Sequence, residues 1–379
     1  MLIRKISLLD DLLNRIAEKL QLNQSRKDKA EQSYKAVSKW LEDDKTFFGK
    51  HDVNIYPQGS YKLGTTVKPK GKDEYDLDFV LEVNYDYEKI KPVDLLKHLE
   101  RRLKESEVYK DKIEPKKRCV AINYEGDFHM DIIPALPKNI FQYKDIKISD
   151  RKLDCWLDSC PKGYIEWFES KFIPQKLILE KAASVEELPV SVPYLFIQPL
   201  QRIIQLMKRH RDVYFENGNE EHPPRSIILT TLAGTYYNSW ESENEALMNI
   251  LDSIKQKIEL NTYGIIEVVN PANHKEKFSD LWNDKPHLYK HFKEFIYSFH
   301  EKWKKLNGIN GIDKIGNQLM EMFGEDLSKQ VISEQTDYID SLRKVGKLGI
   351  TTLGTLIPTS IPKSTPIQKN TFYGKISEN

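Results

Sequence analysis

The fold is decided by two neighbouring stretches, Tyr56-Pro-Gln-Gly-Ser-Tyr-Lys-Leu-Gly-Thr-Thr66 and Tyr75-Asp-Leu-Asp-Phe-Val-Leu81. The first contains a turn with a Gly-Ser pair, and the second is an apolar strand that carries Asp76 and Asp78. Side chains two residues apart in a strand point to the same face, roughly 6–7 Å apart along the chain. Two carboxylates on one face of an apolar strand are costly unless a cation lies between them, and a divalent metal ion is the usual cation.

A third carboxylate, Asp131, lies in the apolar run His129-Met-Asp-Ile-Ile-Pro134. We expect this run to form a strand that pairs beside the strand of Asp76 and Asp78. Three carboxylates on one sheet face could hold two Mg²⁺ ions about 3.5–4 Å apart. One ion would lower the pKa of an attacking hydroxyl, and the other would hold a triphosphate and its leaving pyrophosphate.

The pair Gly59 and Ser60 could supply the phosphate contacts that a metal ion cannot. Glycine lets the backbone approach a phosphate closely, and a serine hydroxyl with the following N–H groups can donate to phosphate oxygens. Taken singly, a Gly-Ser turn is usually ordinary turn chemistry, and an Asp-x-Asp pair at a strand edge is usually solvated. The order Gly-Ser, Asp-x-Asp and a later strand Asp favours a site for metal and phosphate.

Length and composition indicate a globular protein of two lobes. The chain has 379 residues, 39% of them hydrophobic and 30% charged, with a formal net charge of +1. A charge so close to zero argues against a protein that coats nucleic acid. The cysteines Cys119, Cys155 and Cys160 are too few for a disulfide framework and indicate a reducing compartment. No signal-peptide pattern or membrane-length apolar run is visible, so we expect a cytoplasmic protein without a membrane partner.

Periodicity predicts an α+β region followed by a helical region. Predicted strands cover 53–56, ended by Pro57, and 76–83, 118–124 and 128–133. Predicted helices cover 7–22, 26–47, 92–106, 161–172, a long helix kinked near Pro199 and ending near Tyr214, 225–239, 243–260, 286–306, 310–323 and 327–342. Residues 341–379 contain six Lys or Arg against one Glu and read as an extended or disordered tail.

These residues resemble a known superfamily. Gly59-Ser60, Asp76-Leu-Asp78 and Asp131 are similar to the motifs of DNA-polymerase-β-type nucleotidyltransferases. Within that superfamily, Gln58-Gly-Ser-Tyr-Lys-Leu-Gly-Thr65 and Met130-Asp-Ile-Ile-Pro-Ala135 resemble the bacterial relatives of cyclic GMP-AMP synthase and oligoadenylate synthase. Those relatives are the CD-NTases of anti-phage (CBASS) operons, and the resemblance covers roughly residues 50–285.

The resemblance implies an α+β fold with a polymerase-β-like core that contains a mixed sheet, an all-helical lobe, and an active site in the cleft between them. The segments implied are N-terminal bracing helices in 1–50, the nucleotidyltransferase core in 51–185, the helical lobe in 186–342 and a basic, flexible tail in 343–379.

The resemblance also implies an activity. The enzyme would use two Mg²⁺ ions, or Mn²⁺ as a substitute, to make a cyclic di- or oligonucleotide second messenger from ATP or GTP with release of pyrophosphate. Asp76 and Asp78 would bridge both ions, and Asp131 would complete the site of the ion that activates the hydroxyl. Lys208, in Leu206-Met-Lys-Arg-His-Arg211, would hold the donor triphosphate, and Ser226 would bind its terminal phosphate. Without the resemblance, Lys208 could equally belong to a solvent-facing basic cluster.

The resemblance also implies binding partners, and the residues leave two other functions open. The implied partners are NTP substrates, a regulator of the ubiquitin-transfer-like or HORMA type, and an effector that responds to the product. Direct activation by DNA is not expected, because no Cys/His set could build a zinc-binding DNA sensor. Two alternatives stay open: a nucleotidyltransferase that acts on an RNA 3′ end, a small molecule or a protein, and a non-catalytic nucleotide sensor.

Overall fold

The computed structural model describes residues 8–70, 74–139, 142–172, 194, 197–216, 223–238, 242–262, 264–350, 356–360 and 364–367. The helices are α1 (Leu8–Lys19), α2 (Gln24–Glu42), α3 (Gly59–Lys62), α4 (Pro92–Lys104), α5 (Pro161–Glu169), α6 (Pro199–Glu216), α7 (Ser226–Tyr236), α8 (Glu243–Leu260), α9 (Leu281–Asp284), α10 (Pro286–Gly308), α11 (Ile312–Phe323) and α12 (Glu325–Lys344). The strands are β1 (Val53–Gln58), β2 (Tyr75–Val83), β3 (Ile113–Pro115), β4 (Val120–Tyr124), β5 (Phe128–Asn139), β6 (Gln142–Asp150), β7 (Cys155–Ser159), β8 (Val269–Asn270), β9 (Asn273–Lys277), β10 (Leu348–Ile350), β11 (Leu356–Pro358) and β12 (Thr365–Pro366).

A mixed sheet forms the centre of the core lobe. Five of its strands follow the order β1-β2-β5-β4-β3. Strand β6 pairs with β5, and β7 pairs with β6. The β2–β5 pair is parallel, and all the other pairs are antiparallel. The main core of this lobe lies between one face of the sheet and helices α2 and α4. Alternate residues of β2, among them Leu77 and Phe79, fill that core, so the residues between them face the other way.

The two N-terminal helices pack on different lobes. Leu12, Leu13 and Ile16 of α1 belong to the large core of the helical lobe, whereas α2 packs on the sheet. A short non-helical segment separates the two helices and ends at Asn23, the N-cap of α2. The Asn23 side chain accepts a hydrogen bond from the Arg26 N–H at 2.9 Å. The expected helix 7–22 therefore ends earlier, and the next helix ends at Glu42 rather than at residue 47.

Both expectations about proline are wrong. Strand β1 continues through Pro57 to Gln58, because β1 is an edge strand and a missing N–H on its outer side breaks no ladder bond. Pro199 does not kink the long helix but begins it, where its lack of an N–H costs nothing.

Several strands are absent from the sequence prediction. Strands β3, β6 and β7 are short or rich in polar residues, and β5 extends to Asn139 instead of ending at residue 133. The tail is also not wholly unstructured. Within its described residues, β10 pairs with β11 and β12 in a small antiparallel sheet, which corrects the expectation of disorder for those residues. No helix among the described residues is long and apolar enough to cross a membrane.

His210 gives the helical lobe a pH-sensitive centre. Its side chain is fully buried against the rings of Phe295 and Phe299, and Nδ1 donates to the Met322 carbonyl at 2.9 Å. Burial lowers the pKa of this histidine to about 4. An unfolded histidine takes up its proton near pH 6.5, so this group's contribution to stability is complete above that pH and is lost as the pH falls toward 4.

We therefore predict that His210→Gln, which keeps a donor for the Met322 carbonyl, flattens the acid side of the stability profile. Between pH 7 and pH 4 the wild type should lose about 3 kcal/mol more free energy of unfolding than the variant. Urea unfolding at a series of pH values measures this difference. Parallel profiles for the two proteins would contradict the assignment.

Candidate active site

The parallel pairing of β2 and β5 brings the predicted carboxylates together. Asp78 lies directly opposite Asp131, and Asp76 lies opposite His129. Because Leu77 of β2 fills the main core, strand alternation places all three aspartates on the opposite face of the sheet. The expected pairing of the two carboxylate-bearing strands is confirmed.

The carboxylates of the three aspartates lie close enough to repel one another. Burial, together with the charges of Asp76 and Asp131, raises the pKa of Asp78 to about 7. Desolvation and the charge of Asp131 also raise the pKa of Asp76. For Asp76 and Asp78, a neighbouring carboxylate therefore makes ionisation harder, as expected of like charges that are held close together.

One cation does reach the cluster from outside. The ammonium of Lys116, in the turn between β3 and β4, donates to both carboxylate oxygens of Asp131 at 2.9 and 3.2 Å. The two basic residues that follow it are also paired, since side-chain nitrogens of Lys117 and Arg118 lie 3.1 and 3.3 Å from a carboxylate oxygen of Asp150.

Among the described residues, no three His, Cys, Asp or Glu side chains converge closely enough to hold a metal ion. The backbone register supplies the three carboxylates side by side, but Asp131 is turned to Lys116. Carboxylate oxygens are the ligands that Mg²⁺ prefers, so the donor set fits a divalent ion once Lys116 yields its place.

Gly59 lies against the carboxylate of Asp78. Its φ angle is +64°, a backbone conformation that costs other residues energy, and a Cβ atom there would lie 2.2 Å from Asp78 Oδ2. The sequence analysis assigned Gly59 to a close backbone approach to phosphate. The structure adds a second requirement, because any side chain at this position would displace Asp78.

Ser60 and Lys208 meet at two adjacent threonines. The Ser60 hydroxyl lies 3.1 Å from the Thr66 hydroxyl. The ammonium of Lys208, only 4% exposed, donates to the carbonyl and the hydroxyl of Thr65 at 3.0 and 3.1 Å. Burial, and then the charge of Arg211, lowers the pKa of Lys208 to about 7. Lys208 is therefore not part of a solvent-facing basic cluster.

Ser226 lies further from this group. Its hydroxyl accepts a hydrogen bond from Arg211 Nη1 at 2.7 Å, and Arg211 follows Lys208 by three residues on α6. Within the described residues, Ser226 hydrogen-bonds no part of the segment 59–66. Helix α6 thus connects Ser226 to Lys208, and Lys208 to the threonines beside Ser60.

The structure draws attention to residues that the sequence analysis left without a role. Thr65 and Thr66 stand in the stretch that decides the fold, and their positions directly after the Gly-Ser turn are the only signal that could have identified them. Lys116 stands in the sequence as the first of three consecutive basic residues, Lys116-Lys-Arg118, a pattern that by itself predicts only a solvated surface. Gln205, which contacts this segment from α6, carries no sequence signal because its partner carbonyls are more than a hundred residues away.

Comparison with known proteins identifies the family. The model of the Second Messenger Oligonucleotide or Dinucleotide Synthetase domain matches residues 7–171. The c-di-GMP synthase of Roseivirga ehrenbergii is 39% identical over 368 residues, which make up 97% of each chain. The chain belongs to the bacterial CD-NTase family. The expectation of a nucleotidyltransferase that makes cyclic nucleotides from NTPs is confirmed.

Solved structures of other CD-NTases share this fold. CdnG of Bradyrhizobium diazoefficiens, solved in complex with GTP, superposes with a TM-score of 0.72 at 21% identity and covers 86% of this chain and 99% of its own. The CdnC:HORMA-deltaN complex of E. coli superposes with a TM-score of 0.60 at 14% identity, covering 83% of this chain and 96% of that one. The expected fold, a mixed-sheet core with a helical lobe, is confirmed for this CD-NTase.

Gly59→Ala should damage catalysis more than stability. The new methyl group would force the Asp78 carboxylate away from its position, and a left-handed alanine costs about 1–2 kcal/mol. We expect turnover to fall at least about a hundredfold, as misplacement near the reacting groups does, while the cooperative unfolding transition is kept. Initial rates and thermal unfolding measure the two effects. Near wild-type turnover would show that Asp78 does not need this position.

Asp78→Asn should stabilise the metal-free protein, because it removes one charge from a repelling cluster. In EDTA we expect a gain on the order of 1–2 kcal/mol in the free energy of unfolding. The matched control is Glu82→Gln on the same strand and face, where Lys162 lies 3.0 Å from the carboxylate. This control should lose stability, because it leaves Lys162 unpaired. Denaturant unfolding compares the three proteins, and a less stable Asp78→Asn variant would contradict the account.

Proposed function

We propose that this CD-NTase joins two molecules of GTP into cyclic di-GMP, and that Asp76, Asp78 and Asp131 hold two divalent metal ions. In the first step a ribose hydroxyl oxygen of one GTP bonds to the α-phosphorus of the other, and in the second a ribose hydroxyl oxygen of the linear product bonds to the α-phosphorus of its own 5′-triphosphate. At each step the hydroxyl proton is lost to solvent and the bond from that phosphorus to the pyrophosphate oxygen breaks. Two GTP molecules thus give one cyclic dinucleotide and two pyrophosphates. The choice of GTP is supported by the relative named c-di-GMP synthase, whose full length this chain matches at 39% identity.

The observation that carries the proposal is the register of Asp78 with Asp131. Two carboxylates at directly opposite positions of parallel strands, with Asp76 two residues away, form a set of oxygen donors on one face. The raised pKa values of Asp76 and Asp78, and the ammonium of Lys116 on Asp131, support the same interpretation, because a cation favours the ionised form of each carboxylate. When bound, divalent ions would lower the pKa of the attacking hydroxyl and neutralise charge on the leaving pyrophosphate.

The remaining roles belong to side chains around this cluster. Lys116 would release Asp131 and so free both of its oxygens. With the Thr66 hydroxyl as donor to Ser60 Oγ, the hydrogen of Ser60 would be donated to a phosphate oxygen, and Lys208 would keep its bonds to Thr65 and donate its third ammonium hydrogen to the triphosphate. Ser226 would reach the terminal phosphate from α7, with Arg211 beside it. The hydroxyls of Ser60 and Ser226 and the ammonium of Lys208 each carry a hydrogen that can be donated to a phosphate oxygen.

The proposal extends to the biological setting and to the division of the chain. A cyclic dinucleotide product would act as a second messenger for an effector in anti-phage (CBASS) defence. A HORMA-type regulator is supported by the E. coli relative that was solved with HORMA-deltaN, and the ubiquitin-transfer-like type is the alternative. We also propose lobe boundaries near residues 50, 185 and 342, of which the one near 185 lies outside the described residues. The separate cores of the two lobes support this division.

The experiment is incubation of the enzyme with labelled GTP and Mg²⁺, followed by mass spectrometry of the product. We expect wild-type enzyme to make cyclic di-GMP without any added acceptor. The Asp76→Asn, Asp78→Asn double variant should remain folded and lose turnover by at least about three orders of magnitude, because both shared metal ligands are gone. Glu82→Gln should retain activity.

The outcomes separate the alternatives. Product at the wild-type rate from the double variant would refute the proposed metal site. No product from GTP alone, with transfer to an added RNA, small molecule or protein, would favour the rival acceptor. A product that requires ATP beside GTP would contradict the proposed base choice while leaving the site intact.

A further inference from the structure

One face of helix α6 holds the segment that follows the Gly-Ser turn. We call residues 63–68 the post-turn segment. Its backbone carbonyls accept hydrogen bonds from side chains of α6, namely Gln201 to Leu63 at 2.9 Å, Gln205 to Thr66 at 2.9 Å, Lys208 to Thr65 at 3.0 Å and Arg209 to Lys68 at 2.5 Å. Residues spaced by three or four lie on one side of a helix, so one face of α6 in the helical lobe hydrogen-bonds to this core-lobe segment along its length.

Gln205 is the most constrained member of this row. Its side chain is 1% exposed, and both ends of its amide are occupied. Nε2 donates to the Thr66 carbonyl, and Oε1 accepts from Nε2 of Gln21 at 2.8 Å. Gln21 in turn donates to the Ala17 carbonyl of α1 at 2.7 Å. A buried amide whose nitrogen and oxygen are both hydrogen-bonded, to two separate segments of the chain, has one orientation available to it.

Thr66 transmits that constraint to the Gly-Ser turn. Its carbonyl is fixed by Gln205, and its hydroxyl lies 3.1 Å from the hydroxyl of Ser60. The Thr65 N–H also donates to the Ser60 carbonyl at 2.9 Å. The position of Ser60 relative to the helical lobe is therefore set through two consecutive residues of the post-turn segment.

We propose that Gln205 is a positioning residue for the reaction, which sets the Ser60 hydroxyl through Thr66. This inference rests on the proposed role of Ser60 in holding the donor phosphate. Lys208, three residues further along the same helix face, donates to Thr65. The two phosphate-binding groups from different lobes are thus fixed to neighbouring threonines, which gives them a defined separation before GTP binds. Such preorganisation lowers the cost of binding the triphosphate.

The sharpest test changes Thr66, because Thr66→Val removes the hydroxyl at nearly constant volume. We expect the KM for GTP to rise about tenfold with a smaller change in kcat, because one orienting hydrogen bond is lost. Thr66→Ser restores the hydroxyl and should return the KM to within about twofold of wild type. An unchanged KM for Thr66→Val, or no recovery with Thr66→Ser, would overturn the proposal.

Gln205→Leu should raise the KM for GTP in the same direction. Its matched control is Gln318→Leu, since Gln318 is 3% exposed in α11 and its amide donates to Glu321 of the same helix. Both variants should lower the thermal midpoint, but only Gln205→Leu should alter the KM. Equal KM values for the two variants would assign Gln205 a purely structural role. If Gln205→Leu does not fold, the two Thr66 variants decide the question alone.

A double-variant cycle that combines Thr66→Val with Ser60→Ala tests whether Thr66 acts through Ser60. If Gln205 acts through Thr66 and Ser60, Thr66→Val should add little to the KM of Ser60→Ala. Additive effects would show that Thr66 acts independently of Ser60 and would overturn this inference while leaving the proposed function standing. A normal KM for Ser60→Ala alone would instead refute the proposed phosphate role of Ser60, and the positioning role of Gln205 with it.

Discussion

The parallel pairing of β2 with β5 is the constraint on which the site depends. It fixes Asp78 opposite Asp131 by backbone hydrogen bonds, so the charges stay close although they repel one another. The main core on the other face of the sheet supplies the stability that this repulsion removes. Lys116 compensates part of the charge from the β3–β4 turn. The sheet therefore keeps an electrostatically unfavourable arrangement in place, which a divalent cation would relieve.

The second constraint connects the lobes. Helix α6 belongs to the core of the helical lobe, yet four of its side chains bind carbonyls of the post-turn segment in the nucleotidyltransferase lobe. Lys208 serves both purposes, because it is a structural donor to Thr65 and the proposed ligand of a triphosphate. Helix α1 joins the same junction through Gln21, so the N-terminal brace contacts the lobes where phosphate would bind.

The sequence predicted this site well where its signals were local, and poorly where they were not. Asp76 and Asp78 are two residues apart in one strand, so strand alternation alone places them on one face. Asp131 could be added because an isolated acid in an apolar strand is costly without a partner. The order of helices in the helical lobe followed from their periodicity.

Lys116 and Gln205 could not be identified, because their roles come from partners brought close only by the fold. Pro57 and Pro199 were misread because an edge strand and a first helical turn both accept a residue without an N–H.

The central claim, that the three aspartates gather two divalent ions, is tested most directly by anomalous diffraction. Crystals of the enzyme with Mn²⁺ and a non-hydrolysable GTP analogue would locate the ions without reference to activity. The account predicts two anomalous peaks about 3.5–4 Å apart, both contacted by Asp76 and Asp78 and one by Asp131, with Lys116 moved off Asp131. A single peak, peaks away from this face of the sheet, or an intact Lys116–Asp131 pair beside bound nucleotide would contradict it.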